Sequence, residues 1–172
     1  MSMDKKQLYC ALKALNRIEQ YLIDHRYSLD KQLLKFTQSA QLWLQDENLI
    51  PDLKQLEVIE NKLSELVIDF EDADESEATV NFFLFAVLTF IYAFLTPSTT
   101  SLNAIQEEVT QFFRNIAENE YMNIHQLSVI IHTAELANEI ENLPLISNEK
   151  NQQLLDLTYV NTITDWHSTH LK

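Results

Sequence analysis

Metal binding and proton transfer would fall first to histidine, of which the chain has five. His125 and His132 stand seven residues apart, with Glu135 three further on, so all three share one face of any helix that spans them. His167 and His170 stand three apart beside Asp165. A bundle metal centre could draw on both groups. The di-iron carboxylate arrangement, however, needs Glu-x-x-His on two helices, and no histidine here has Glu three positions before it. The zincin spacing is absent as well. The expectation is ordinary histidines with no metal and no cofactor. The trio His125, His132 and Glu135 stands as the candidate if the chain is a metal-dependent bundle enzyme.

Other catalytic groups are poorly placed. Glu71 with Asp74, or Glu107 with Glu108, pair carboxylates, but acid-base work needs one of them desolvated and a dense charge run keeps both in water. The 172 residues include no glycine. P-loops, dinucleotide fingerprints, nucleophile elbows and EF-hand loops each need one where the backbone turns through positive φ or presses on a phosphate, so all four are excluded. The single cysteine, Cys10, cannot form an internal disulfide and sits near the apolar face of the first helical pattern, where packing is the expected role. Phe82, Phe83, Phe85, Phe90 and Phe94 either line an apolar ligand pocket or pack a core, and the core is the expectation.

Charge is the most distinctive property. Twelve basic and 26 acidic side chains give a net charge of −14. Residues 1–62 hold nine of each sign, so the whole imbalance lies beyond residue 62. Such a surface repels a phosphate backbone and offers no cation cluster, which argues against nucleic acid as a partner. A basic protein would be attracted and steered. The densest run, Asp69, Glu71, Asp72, Asp74, Glu75 and Glu77, is the candidate partner-binding site; the alternative is a solubilising loop. Tyr92, Trp43 and Trp166 are candidate aromatic anchors beside it.

The elements that must position these groups are helical throughout, because apolar residues recur every three or four positions and strand-like alternation is scarce. The spacing predicts helix 1 over Asp4–Asp24 and helix 2 from a Ser28 cap to about Leu44. Helix 3 starts with Pro51 in its first turn and carries a stripe reaching Phe70. The acidic run then forms a solvated loop whose charge favours the start of helix 4. Val80–Leu95 carries no charge. It is shorter than the roughly 20 apolar residues a bilayer needs and lacks flanking cations, so a buried central helix is expected and a membrane span is not. Helix 5 follows a Ser101 cap; helix 6 covers Asn123–Asn142 with Ile124, Leu127, Ile131, Ala134 and Ala137 inward; helix 7 follows Ser147 with Leu154, Leu157 and Trp166 inward. The prediction is an all-α, single-domain antiparallel bundle of about seven helices around an apolar central helix, spanning residues 1–172.

The segments Gln41-Leu42-Trp43-Leu44 and Lys62-Leu63-Ser64-Glu65-Leu66, the acidic stretch Asp69 to Glu77, the apolar helix Val80–Leu95 and Asn119-Glu120-Tyr121 together resemble the YjaG-like family of all-helical bacterial proteins of unknown function. The likeness covers about residues 8–122 and implies a helical fold without supplying catalytic residues. In general character, acidic, helical and without catalytic motifs, the chain also looks like bacterial toxin-immunity proteins. The expected function is therefore a non-enzymatic immunity protein that occludes a basic toxin domain, such as a nuclease. A structural or regulatory homodimer is the alternative. The N-terminus shows no apolar signal core, so residence in the cytoplasm is expected.

Overall fold

The computed structural model describes residues 3–96, 101–127 and 133–166, which fold as helices joined by turns with no strand among them. Seven α-helices are present: α1 Lys5–Asp24, α2 Lys31–Gln41, α3 Leu53–Ser64, α4 Glu75–Leu95, α5 Ser101–His125, α6 Ala134–Glu141 and α7 Pro144–Tyr159. Short 3-10 turns occupy Leu42–Leu44, Glu47–Leu49 and Val160–Thr162. The all-α bundle read from the periodicity is the observed fold.

α4 is its centre, packed on α5, α3 and α1. By length and composition it could cross a membrane, but 56% of its apolar window is buried by the rest of the chain. Of its phenylalanines, Phe83, Phe90 and Phe94 are core and Phe82 and Phe85 are partly buried; Phe90 stacks on Trp43 with centroids 5.8 Å apart, and Phe36 and Phe94 meet Trp43 edge-on. Trp43 is 1% exposed and cannot be a docking anchor. Trp43 stands between Leu42 and Leu44 in the 3-10 turn that follows α2, where both Trp43 and Leu44 are buried.

Helix starts are set by aspartates more than by the serines singled out above. Asp4, Asp52 and Asp74 each accept the N–H of the residue three on, and the Gln7, Gln55 and Glu77 side chains reach back, closing three capping boxes. α2 begins at Asp30 rather than Ser28, and α3 begins after Asp52 with Pro51 outside it. α3 stops at Ser64, so Phe70 belongs to the following loop. α7 starts with Pro144 at its first position, and Ser147 lies inside it. The sixth predicted helix is divided: α5 runs on to His125 and α6 begins at Ala134, leaving Ile124 and Leu127 exposed and Ile131 outside the described residues.

Although glycine is absent, the backbone does enter the left-handed region, at Arg26 (φ 62°) and Gln126 (φ 54°). Both sit just past a helix end. Tyr27 N–H reaches the Leu22 carbonyl and Leu127 N–H reaches that of Met122, each at 2.9 Å, the long bond of a Schellman cap. These caps are formed without the residue that favours them, so the exclusion of glycine motifs holds for phosphate loops but not for helix ends.

Among the described residues one buried polar atom lacks a partner: Glu19 of α1 is 7% exposed, and its Oε2 accepts no hydrogen bond from a described residue. It borders a void of about 10 Å³, shared with Asn16, Thr37 and Gln41. Burial pushes its carboxyl above the usual carboxylate value, with the Thr37 hydroxyl working the other way. A raised folded-state pKa means that ionisation costs stability above that value, and that the cost disappears as pH falls below the unfolded value near 4.5. Glu19→Gln is therefore expected to stabilise the protein by about 1–2 kcal/mol at neutral pH, with the gain shrinking towards pH 4. Urea titrations at both pH values measure it; equal gains at both would show that charge is not the cause.

Candidate functional site

The acidic run forms the connection between α3 and the first turn of α4, and all six carboxylates are exposed. None forms an ion pair among the described residues. They divide by local role. Asp69 accepts the Glu71 N–H on Oδ1 at 3.2 Å, and its carbonyl takes the N–H of Asp72 and Ala73 at 3.0 and 2.9 Å. Asp74 caps α4 through the Glu77 N–H at 2.8 Å, while Glu77 Oε2 takes the Asp74 N–H at 2.9 Å. Glu71, Asp72 and Glu75 make no side-chain hydrogen bond to a described residue and lie open to solvent. Glu75 and Glu77 belong to α4 itself, where they meet the positive end of its dipole.

The loop is held from beneath. Asn81, 1% exposed on α4, accepts the Ile68 N–H at 3.1 Å and donates to the Ile68 carbonyl at 2.6 Å. An amide in this position satisfies both backbone groups of one loop residue, which explains a polar side chain inside the most apolar helix.

Apolar surface flanks the loop on both sides. Phe70 is 49% exposed and packs against Phe82 and Phe85 with centroids 5.6 and 6.0 Å away. Tyr92, 56% exposed, continues the same face of α4 seven residues beyond Phe85, about 10 Å along the axis. On the other side, a groove of about 740 Å³ runs between the starts of α2 and α4, floored by Leu33 and Leu84 and rimmed by Asp30, Asp74 and Glu77. Of the candidate anchors, Tyr92 is exposed on α4 two turns beyond Phe85, and Trp166 packs on the buried Tyr9 at 6.3 Å. Phe70 was missed as an anchor because the apolar stripe placed it inside helix 3.

Among the described residues the candidates for metal and acid-base chemistry are not brought together. His125 ends α5 against Tyr121, with centroids 4.2 Å apart, and Glu135 opens α6, so the helix that would have aligned them is interrupted at Gln126. His132, His167 and His170 lie outside the described residues. Among the described residues no three His, Cys, Asp or Glu side chains converge as a metal site. Burial and the neighbouring Glu107 raise Glu108 above its usual value, but Glu107 itself is spent at 3.7 Å from Arg114. Cys10 is buried, and its thiol is pushed up to about 11, which suppresses the reactive thiolate. Comparison with protein-family models, with curated proteins and with solved structures finds no match for this chain.

Proposed function

We propose that the chain is a non-enzymatic protein-binding module, an immunity protein that binds a basic toxin domain and occludes its working surface in the cytoplasm. One observation carries the reading: three unengaged carboxylates, Glu71 and Asp72 on a pinned loop and Glu75 at the start of α4, stand beside a half-exposed aromatic face. Charge at that place would accelerate encounter, and the aromatic side chains would supply the desolvated contact that affinity requires. A nuclease domain, basic because it holds phosphate, is the partner class such a surface suits best. Kinship with the YjaG-like family is part of the same proposal and assigns no reaction.

The test separates attraction from structure. The triple substitution Glu71→Gln, Asp72→Asn, Glu75→Gln removes the open charges and leaves the Asp69, Asp74 and Glu77 hydrogen bonds in place. Against the product of the adjacent gene, stopped-flow association at low salt is expected to slow by about tenfold, with a shallower salt dependence. The amide-for-acid exchange should leave the melting temperature nearly unchanged. Absence of a complex removes the proposal. An association rate that ignores salt removes its electrostatic half.

A further inference from the structure

We propose that the outward face of α7 is a self-association surface on which a second copy of this chain docks. The helix is turned inside out relative to its sequence pattern. Its buried side chains are Ile146, Glu149 and Asp156, whereas Leu154 and Leu155 are 62% and 57% exposed and Tyr159 is 55% exposed. The two acids point inward because Arg17 of α1 holds both. The leucines are thereby left in water, where each forfeits the stabilisation that burial would supply.

The charge on this face selects its occupant. Asn151, Leu154, Leu155, Thr158 and Tyr159 are all exposed and all uncharged, in a protein of net charge −14. Lys150, at its border, is ion-paired with Glu141 of α6. A basic partner finds nothing here to attract it. An anionic membrane would repel the surrounding acid, and the face lacks the lysines and arginines with which interfacial helices hold lipid headgroups. A neutral, apolar surface is what fits, and a second α7 is one by identity, since a two-fold axis brings the same patch against itself. Asn151, Leu154 and Thr158 fall on one stripe at spacings of three and four, so two such helices can lie along one another. A helix of 16 residues is about 24 Å long and covers less than the roughly 800 Å² per partner of a standard interface, so the dimer is expected to be weak, with a dissociation constant on the order of 10 µM.

Sedimentation velocity from about 1 to about 500 µM reads the equilibrium directly. A concentration-dependent dimer is expected. Because the rest of each copy repels the other, raising NaCl from about 20 to about 300 mM should tighten it several-fold, opposite to the effect of salt on an acid-steered partner. Leu154→Lys and Leu155→Lys should each weaken it at least about tenfold, with thermal melts confirming that these surface variants fold. Asn151→Cys provides a second reading: Cys10 is buried, so a short bis-maleimide should link copies through position 151 alone. A monomer throughout, a dimer untouched by both lysines, or no cross-link from Asn151→Cys would each overturn the assignment.

Discussion

Arg17→Ala is expected to destabilise the protein by about 3–5 kcal/mol, a large share of the roughly 5–15 kcal/mol by which folded domains are stable. The guanidinium meets Glu149 in a two-pronged contact, Nε to Oε2 at 2.7 Å and an Nη to Oε1 at 2.8 Å, and its other Nη reaches Asp156 Oδ2 at 2.5 Å. Side-chain exposures of 19%, 3% and 9% place all three away from bulk water. Removing the cation leaves two carboxylates close together in a site that cannot hydrate them, with Gln153, among the described residues, still donating to Glu149 at 2.9 Å. The cost comes from stranding the acids. Arg17→Met combined with Glu149→Leu and Asp156→Leu should therefore recover most of the loss, since an apolar replacement of a buried ion group is often neutral or better. Urea unfolding of the two variants decides the point. If the triple variant is no more stable than Arg17→Ala, the network is doing something other than satisfying its own buried charge.

That network also marks where sequence reading fails. Periodicity placed Leu154 and Leu157 inward on the last helix, but any helix offers two faces, and here the polar one won; Trp166, beyond the helix end, does pack inward on Tyr9. Glu149, Gln153 and Asp156, at spacings of four and three, define a stripe as regular as the leucines, and Arg17 on α1 is its complement 132 residues away from Glu149. Hydrophobicity alone is blind to such a pairing, because the energy that turns the helix lies in a partner distant in sequence. The central helix shows the opposite case. From Val80 to Leu95 the apolar composition leaves burial as the favourable outcome, so α4 and its packing on its neighbours were legible from residue types. Caps fall between. Asp-x-x-Gln and Asp-x-x-Glu stand in plain view before α1, α3 and α4 and cap them, whereas Ser28 lies two residues before the α2 cap and Ser147 lies inside α7. The acidic site was visible as charge. Its division into capping and open carboxylates was not, because hydrogen bonding to the backbone depends on the path of the loop.

Asn81 tests whether that path matters for function. Asn81→Ala leaves the Ile68 N–H and carbonyl without their partner in a partly buried position, and a loss of about 2–3 kcal/mol is expected. Asn81→Asp should cost more at neutral pH: the new carboxylate can accept from the Ile68 N–H but faces the Ile68 carbonyl lone pair, and it carries a charge where Asn81 is 1% exposed. Its folded-state pKa must lie above the usual value near 4, so the deficit is fully present above that folded value and shrinks as pH falls, when the added proton can be donated to the carbonyl. Unfolding curves at pH 7 and near pH 4 should show the Asn81→Asp penalty falling while the Asn81→Ala penalty stays constant. In the proposed partner binding, Asn81→Ala keeps all six carboxylates, so long-range steering and the association rate should hold. The freed loop must then be ordered again in the complex, at a cost that appears as faster dissociation. Slower association with unchanged dissociation would mean that charge placement, rather than a preset loop, is what Asn81 secures.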